Sequence, residues 1–428
     1  MRVIIIGAGL AGLSVAWYLR EGGAEVTVLE RQAGPGLECS FANGALLHPS
    51  MAEPWNAPGV LGQLLRNLGR SESHMLLRLA ALPSLFGWGI RFIRASRADR
   101  YLANTRKNIL LARYSVGLME GLRSRADLQY GAYSRGSLQV FRNDRVAEST
   151  LAWGRQLAAY GLEYRSLSVA ELVAQEPALA PISNALVGGI HMPHDQAGDA
   201  YRYCCAMTAQ LQARGVEIHY SVCCRALSLD TNRVAVVADT SGRSWPTDTV
   251  VLAAGSYSPL LANGVGLALP IRPVKGYSIT APRIADAVAP RIPVVDPVLH
   301  VATVPLGEDQ LRVAGTAEFT GYNLDINPKR VENIIGLLRQ LYPEYLQRLT
   351  AAQIVPWAGL RPMCADGVPL LGPTPIRNLF LNTGHGHLGW TLAAGSARLV
   401  ADLVLVRRPD IDPAPYALER FTGRSSAR

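Results

Sequence analysis

Several features are missing from this sequence of 428 residues, and each absence narrows the possible classes of protein. It has no internal repeat and no low-complexity stretch, which argues against solenoid, fibrous and disordered chains. Only 18% of the residues are charged whereas 49% are hydrophobic, a composition typical of a folded globular protein. A chain of this length can bury a large core and usually forms two or more domains.

Cysteine is scarce as well, with six residues at positions 39, 204, 205, 223, 224 and 364 and no C-x-x-C motif. Adjacent cysteines point in different directions and chelate a metal ion poorly, so we expect small buried side chains and no metal site. The hydrophobic run at the start has no basic stretch before it and no small-residue cleavage site after it, unlike a signal peptide. We therefore expect a cytoplasmic location without disulfide bonds.

The formal net charge is +9, yet the basic residues are scattered and are dense only between Arg91 and Arg106. No basic–aromatic cluster or RNA-binding module is present, so nucleic acid is not an expected partner. Residues 74–93 are apolar but interrupted by Pro83 and two glycines, and arginines flank them. We interpret residues 74–97 as a buried helix pair; the alternative is that residues 74–93 contact an anionic membrane surface.

The start of the chain carries the clearest motif, VIIIGAGLAGLSVAW followed by VTVLER. The pattern predicts a strand, a glycine turn, a helix and a second strand that ends in an acid. Gly7 permits the tight turn, Gly9 lets a pyrophosphate approach the backbone, and Gly12 lets the helix pack closely on the strand. Glu30 lies at the distance where a carboxylate can accept hydrogen bonds from an adenosine ribose. These features together predict dinucleotide binding at the helix N-terminus.

A second strand, glycine turn and helix occur near the other end, in NLFLNTGHGHLGWTLAAGSARLVADLVL. The turn spans residues 384–389 and again directs a helix N-terminus at a ligand. We expect the two regions to meet in space, which makes the nucleotide domain discontinuous in sequence. An NAD-dependent dehydrogenase is an alternative, but a plain nicotinamide enzyme does not need this second element.

Hydrophobic periodicity predicts the elements between these two ends. Helices are expected at residues 101–125, 168–179, 329–341 and from Gly198 onward, and strands at residues 136–141, 186–192, 216–227, 248–258, 271–282 and 310–319. The alternating strands are expected to form a second domain that covers the cofactor.

Eight stretches in this order resemble the D-amino acid oxidase/glycine oxidase superfamily of flavoproteins, and most closely the bacterial D-amino acid dehydrogenases. They are VIIIGAGLAGLSVAWYL, ECSFANGALLHPSMAEPWNAPGV, GSLQVF, GGIHMPHDQAGD, VLAAGSYS, PVKGYSIT, WAGLRPMCADGVPLLG and LNTGHGHLGWTLAAGS. The resemblance implies an α/β fold, with a discontinuous Rossmann-like FAD-binding domain and an α+β substrate domain built on an antiparallel sheet. The implied FAD-binding segments are residues 1–50, 195–265 and 350–428, and the substrate segments are residues 51–194 and 266–349.

The same resemblance implies FAD as the cofactor, bound at both glycine turns and along the loop that follows Glu30. The implied contacts are Gly7, Ala8, Gly9, Leu10, Ala11, Gly12, Glu30, Arg31, Ser40, Asn43, Gly44, Cys224, Ala254, Gly255, Gly384, His385, Gly386, Leu388, Gly389, Trp390 and Thr391. Cys364 does not stand clearly where some relatives attach flavin covalently, so non-covalent FAD is expected. Val313 stands where oxidase-type relatives carry an oxygen-activating lysine, which favours a dehydrogenase.

Family logic further makes Arg361 the residue that holds the substrate carboxylate, since a guanidinium matches a carboxylate with two parallel hydrogen bonds. Tyr277, Tyr257 and His48 are candidate pocket residues; for each, a packing role is the alternative. The implied reaction is oxidative deamination of a D-amino acid to a 2-oxo acid and ammonia, by hydride transfer from Cα to flavin N5. Electrons would pass to a quinone or another respiratory carrier, at the inner face of the membrane.

Alternatives remain. A related amine such as D-hydroxyproline, glycine or sarcosine would need the same carboxylate clamp, Arg361, in a differently shaped pocket. A flavin-dependent RNA-modifying enzyme is a remote alternative, suggested only by the high isoelectric point of about 9.4.

Overall fold

A computed structural model of the chain describes residues 1–67, 69–70, 73–284 and 288–422. The strands in this part are β1 (Arg2–Ile6), β2 (Glu25–Leu29), β3 (Leu46–Leu47), β4 (Met75–Leu77), β5 (Ser137–Phe141), β6 (Arg165–Leu167), β7 (Gly188–Met192), β8 (Gln196–Ala197), β9 (Glu217–His219), β10 (Cys224–Asp230), β11 (Arg233–Asp239), β12 (Ser244–Pro246), β13 (Thr249–Leu252), β14 (Ile271–Pro282), β15 (Val294–Asp296), β16 (Val301–Leu306), β17 (Gln310–Phe319), β18 (Val355–Cys364), β19 (Leu370–Pro373) and β20 (Leu379–Thr383). The helices are α1 (Leu10–Glu21), α2 (Val60–Arg66), α3 (Leu82–Ala95), α4 (Ala98–Arg125), α5 (Asp144–Ala158), α6 (Val169–Gln175), α7 (Ala200–Ala213), α8 (Ser258–Asn263), α9 (Pro328–Leu341), α10 (Pro343–Gln347) and α11 (Gly389–Val404).

The first sheet has six strands in the order β19-β20-β13-β1-β2-β9. All neighbours run parallel except β19, which pairs antiparallel with β20. Its strands come from three separate parts of the chain, as expected for a discontinuous nucleotide domain. Both faces are covered, and the four buried residues of β1 that follow Arg2 are all apolar. Val3 and Ile5 belong to the core on the helical face, and Ile4 and Ile6 belong to the core on the opposite face.

Helices α1, α4, α7 and α11 pack together on one face of this sheet. The small antiparallel sheet β10-β11-β12 contributes Leu227, Val234 and Val237 to the core on the other face. The helix predicted at residues 101–125 corresponds to α4, and the turn at residues 384–389 leads directly into α11. The sheet is therefore enclosed as in a Rossmann-like domain.

The second sheet is mostly antiparallel and has the order β18-β14-β17-β16-β15-β5-β7-β6, with β4 paired to β17. Strands β14 and β18 pair along their whole length, from Ile271 opposite Cys364 to Thr280 opposite Val355. Helix α9 covers this sheet with Ile334, Leu338 and other core residues. The predicted fold class, an α/β domain joined to an α+β domain with an antiparallel sheet, is confirmed.

The extent of β18 moves one domain boundary. The sequence placed residues 350–428 in the nucleotide domain, yet Val355–Cys364 pairs with β14 of the second sheet. We therefore place that boundary after Cys364, and the rest of the predicted division stays a proposal.

Two predicted elements are wrong, and the strand predicted at residues 248–258 is shorter and ends at Leu252. The single strand expected at residues 216–227 is split into β9 and β10, which belong to different sheets, and Ser221 between them has a φ of 56°. A left-handed residue of this kind interrupts a strand. The helix pair expected at residues 74–97 is one strand, β4, and one helix, α3. Pro83 lies in the first turn of α3, where proline is tolerated, so it starts the helix and does not break it.

Within the described residues, no helix combines the length and the hydropathy needed to cross a bilayer.

Candidate active site

A cavity of about 890 Å³ opens where the two sheets meet, and residues of both sheets line it. This volume lies toward the upper end of the range for small-molecule sites, roughly 300–1,000 Å³. The carboxyl ends of parallel strands in an open sheet are the usual place for a nucleotide. Here β1 and β2 end at the cavity with Gly7 and Glu30.

Helix α1 directs its N-terminus into this cavity. Gly9 precedes the helix and no side chain caps it, although the Leu10 N–H donates to Ser40 Oγ at 3.3 Å. Gly7 has a φ of 110°, a conformation that favours glycine. A Cβ atom at Gly12 would overlap the carbonyl oxygen of Gly7, so only glycine allows this close packing of helix and strand. The motif predicted from sequence therefore has the geometry of a phosphate-binding turn.

Glu30 lies buried at the end of β2. Its carboxylate accepts hydrogen bonds from the Ala8 N–H at 2.7 Å and the Gln32 N–H at 2.8 Å. Burial raises the pKa of Glu30, and these two hydrogen bonds oppose the rise. The neighbouring Arg31 pairs with Glu38 and lies over the ring of Tyr257, 3.5 Å from the centroid. Tyr257 therefore stands beside the residue that follows Glu30.

Helix α11 directs a second uncapped N-terminus at the cavity. Thr391 Oγ1 in its first turn accepts a hydrogen bond from the backbone N–H of His48 at 3.1 Å, which ties the His48 loop to this helix. Trp390 donates a hydrogen bond from Nε1 to the carbonyl oxygen of Gly198, and its ring packs against Tyr203. These contacts hold the indole ring in place at the start of α11.

Arg361 extends from β18 into the cavity, where burial lowers the pKa of its guanidinium. Among the described residues no carboxylate pairs with it; it donates to the carbonyl oxygen of Thr316 at 3.4 Å. Its Cζ lies 5.1 Å from the ring centroid of Trp55. A Cβ atom at Gly276 on β14 would overlap the guanidinium, so glycine there makes room for it. A buried guanidinium without a carboxylate partner is a site for an anionic ligand.

Aromatic rings surround this guanidinium. Trp55 stacks on His387 with ring centroids 4.9 Å apart, and His48 lies 6.4 Å from His387. Burial lowers the pKa of His48 to about 4 and also lowers that of His387, so both rings are neutral near pH 7. The histidine rings near Arg361 therefore add no positive charge to this wall.

The Tyr277 hydroxyl is turned away from this wall. It donates to Glu318 Oε2 at 2.6 Å, and Glu318 also pairs with Lys275 and Arg78. This pairing and burial raise the pKa of Tyr277. The residue itself lines the cavity, so we assign Tyr277 a wall position and no hydrogen bond to a ligand.

Most of the sequence-predicted residues meet at this one cavity. Those that line it are Gly7, Gly9, Leu10, Ala11, Glu30, Arg31, Ser40, Asn43, Gly44, His48, Cys224, Ala254, Gly255, Tyr257, Tyr277, Arg361, His385, Gly386, Gly389 and Trp390. Five others do not line it: Ala8, Gly12, Gly384, Leu388 and Thr391.

The residues present fit a dinucleotide such as FAD. Four lining residues carry a buried polar atom without a partner in the described structure: His48 Nδ1, Thr316 Oγ1, Asn382 Oδ1 and His385 Nε2. Unpaired buried polar atoms are costly, and a ligand with many hydrogen-bonding groups would satisfy them. The two helix N-termini and Glu30 are the groups that would hold the phosphates and the ribose of such a ligand.

Sequence reasoning missed several lining residues, above all Glu53, Trp55 and His387. His387 lies inside the recognised glycine turn and could have been named from it. Glu53 and Trp55 lie in the stretch ECSFANGALLHPSMAEPWNAPGV, which carries the family resemblance, but neither was named from it. In the described residues no group of histidine, cysteine and carboxylate side chains could hold a metal ion.

Comparison with known proteins gives the family. The model for FAD dependent oxidoreductases, DAO, matches residues 2–403. The chain belongs to this family of FAD-dependent oxidoreductases. A D-amino acid dehydrogenase of Paramagnetospirillum magneticum is 42% identical over 423 residues, with 99% of each chain covered. One from Dechloromonas aromatica is 38% identical, with 96% of this chain and 98% of the relative covered.

Solved structures support the same FAD-dependent oxidoreductase fold. Glycine oxidase from Geobacillus kaustophilus aligns with a TM-score of 0.75 at 23% identity, covering 98% of this chain and 99% of that chain. L-proline dehydrogenase from P. horikoshii aligns with a TM-score of 0.77 at 15% identity, covering 99% of this chain and 98% of that chain. The family match and the curated relatives, beyond the fold, make the chain an enzyme of a family that depends on FAD.

Proposed function

We propose that this oxidoreductase oxidises D-amino acids to 2-oxo acids and ammonia. The observation that carries the proposal is the half-buried guanidinium of Arg361, which pairs with no carboxylate of the described residues and lies in the cavity that the two helix N-termini also reach. The relatives named D-amino acid dehydrogenase, at 37–42% identity over nearly the whole chain, support this substrate class.

The protein groups act by orientation and electrostatics. Arg361 holds the α-carboxylate with two charge-assisted hydrogen bonds, and Trp55 limits how the guanidinium can turn. The neutral rings of His48 and His387 keep the site apolar and add no competing cation. Bound FAD supplies the hydride acceptor at N5. A helix N-terminus such as that of α11 favours negative charge placed near it.

Anaerobic visible spectroscopy of the purified protein tests the proposal. D-amino acids, their L-enantiomers, glycine, sarcosine and D-hydroxyproline are added in turn while the flavin band is followed. We expect bleaching by D-amino acids and none by L-forms. Bleaching only by one of the other amines would replace the substrate class, and a flavin band that no amine bleaches would refute the proposal.

The clamp is tested with Arg361→Ala. Loss of a charge-assisted hydrogen bond costs about 1.5–3 kcal/mol, so kcat/KM for D-amino acids should fall at least tenfold. Arg348→Ala, on a different segment, is the control for loss of one arginine. Wild-type kinetics in the Arg361 variant would show that the carboxylate binds elsewhere.

We propose that FAD is bound without a covalent bond. Burial raises the pKa of two lining thiols, Cys39 and Cys224, to about 11 and about 12, which makes both poor nucleophiles. A third lining thiol, Cys223, is exposed. Cys364 lies outside the lining and contacts Arg420. Acid precipitation should release all flavin into the supernatant; flavin that stays with the pellet would refute this proposal.

We also propose that α3 places the enzyme on an anionic membrane surface, where a quinone could accept the electrons. Leu82, Phe86, Ile90 and Ile93 form one exposed stripe on this helix, with Phe86 74% exposed. Their spacing of four, four and three residues puts them on one helix face, which we call the α3 stripe. Arginines 91, 94, 97 and 100 provide positive charge beside it.

Flotation with vesicles of phosphatidylcholine, with and without phosphatidylglycerol, tests the α3 stripe. We expect binding that needs the anionic lipid and is lost in the double variant Phe86→Ser/Ile90→Ser. Leu110→Ser removes an exposed leucine from a different helix and serves as the control. Equal flotation of the double variant and the control would refute membrane contact through α3. Rapid reoxidation of the reduced enzyme by a soluble quinone analogue, and slow reoxidation by oxygen, would support the quinone as acceptor.

A further inference from the structure

Among the described residues, four with acidic side chains line the cavity: Glu30, Glu38, Glu53 and Asp296. Three of them have partners. Glu30 accepts two backbone N–H groups, Glu38 pairs with Arg31, and Asp296 pairs with Arg142 and two backbone N–H groups.

Glu53 differs from the other three acids. Among the described residues no other residue donates a hydrogen bond to its carboxyl group or forms an ion pair with it; only its own backbone N–H does so. Burial raises its pKa to about 7, and the nearby Asp195 adds to the rise. The Asp195 carboxylate already accepts hydrogen bonds from the hydroxyl groups of Ser50 and Ser137. Glu53 is therefore a cavity carboxyl group that lacks a cation.

The position of Glu53 relates it to the clamp. It stands two residues before Trp55, whose ring contacts the Arg361 guanidinium at 5.1 Å. Two residues of chain span at most about 7 Å, so Glu53 and Trp55 line the cavity within one short segment. The cavity thus holds an unpaired cation and an unpaired acid near one indole ring. A ligand with a carboxylate at one end and a cation at the other complements both.

The other ionisable side chains near the clamp do not supply that cation. Burial lowers the pKa of His48 and of His74 to about 4 and lowers that of His300, so these imidazoles are neutral near pH 7. Arg31 is paired with Glu38. A buried carboxylate gains most from a ligand that brings its own charge into the site.

We propose that Glu53 is a specificity-determining residue that selects D-amino acids whose side chains end in a cation, such as D-lysine, D-ornithine and D-arginine. This inference rests on the proposed function, because it takes Arg361 as the carboxylate clamp. The side chain of such a substrate runs past Trp55, and its ammonium or guanidinium group pairs with Glu53.

Ligand binding to the wild-type holoenzyme tests the inference without turnover. Hexanoate and 6-aminohexanoate both carry the carboxylate, and only the second carries a terminal ammonium group. The Kd of each is measured from the change in the flavin spectrum. We expect 6-aminohexanoate to bind at least tenfold more tightly. Equal binding, or tighter binding of hexanoate, would overturn the role of Glu53.

Steady-state kinetics of Glu53→Gln provide the second test. We expect the ratio of kcat/KM for D-lysine to kcat/KM for D-methionine to fall about 10- to 100-fold. Glu332→Gln, on the exposed side of α9, is the charge-matched control. An equal fall for both substrates would instead make Glu53 a general base for the α-amine, and an unchanged ratio would also overturn the inference.

The two proposals fail in different ways. If no D-amino acid bleaches the flavin, the proposed function fails, whether or not hexanoate and 6-aminohexanoate bind. If neutral D-amino acids are oxidised but 6-aminohexanoate gains nothing over hexanoate, only the role of Glu53 fails. The Glu53→Gln variant is compared at equal flavin content and equal Tm, so that a folding defect is not read as a change in specificity.

Discussion

Replacing Gly276 by alanine tests the position of the Arg361 guanidinium without removing it. Gly276 lies on β14 beneath Arg361, and a Cβ atom there would overlap the guanidinium. Gly276 does not have a positive φ, so its backbone conformation suits alanine. The group that must move is the far end of a flexible side chain, and the backbone can stay in place.

The size of the effect follows from this overlap. The guanidinium has to shift by about 1 Å or more to reach ordinary van der Waals distance from the new methyl group. A misplacement of about 1 Å can cost on the order of 100-fold in rate, and one charge-assisted hydrogen bond contributes about 1.5–3 kcal/mol. We therefore expect kcat/KM for D-amino acids to fall about 10- to 100-fold in Gly276→Ala.

Steady-state kinetics and the flavin content of the purified variant are the assay. Since Gly276 lies at the clamp, FAD content and Tm should stay close to those of the wild type. Gly336→Ala, on α9 with open space around its Cα, is the control. Wild-type kinetics in Gly276→Ala would refute the reasoning that Arg361 in this position binds substrate, and loss of FAD would show a structural role instead.

Two further predictions concern the fold. Gly12→Ala should abolish FAD binding and lower stability, because the new Cβ atom meets the immobile carbonyl oxygen of Gly7. The ratio of absorbance at 450 and 280 nm measures the FAD content. A variant that is still yellow would contradict the packing argument. Arg420→Ala should lower the free energy of unfolding by about 3–5 kcal/mol at pH 7, because it leaves the buried carboxylate of Asp366 unpaired. Burial alone would raise the pKa of Asp366, but Arg420 holds it below its usual value, so this contribution is present above about pH 4 and is lost as the pH falls further. In urea denaturation, the difference in unfolding free energy between wild type and Arg420→Ala should therefore be smaller at lower pH than at pH 7. A difference that stays constant would contradict this account of the ion pair.

Local signals were sufficient for much of the fold. The glycine motif at Gly7, Gly9 and Gly12 required a strand, a tight turn and a helix, and the structure has all three. The alternating strands β14 and β17 have the bounds that their sequence pattern predicted. Where a single left-handed residue or a proline decided the outcome, the pattern was insufficient. Ser221 divides one predicted strand, and Pro83 starts a helix that the sequence suggested it would interrupt.

The candidate site was less accessible to sequence reasoning, because its members are far apart in the chain. Trp55 contacts Arg361 across more than 300 residues, and nothing in its own loop indicates this. The Tyr277 hydroxyl is engaged by Glu318 on the neighbouring strand, a pairing that depends on the register of β14 and β17. Glu53 could be recognised only when the partners of every other cavity acid were known.

Local sequence was sufficient to predict the nucleotide-binding turn, the acid that follows it and the second glycine turn, because each depends on backbone conformation and residue size over a few neighbouring positions. The side chains that share the cavity, their neutral members and the charges without partners among the described residues became known from the folded chain. Those properties arise from burial and from contacts between distant segments, and local sequence does not encode the distances on which they depend.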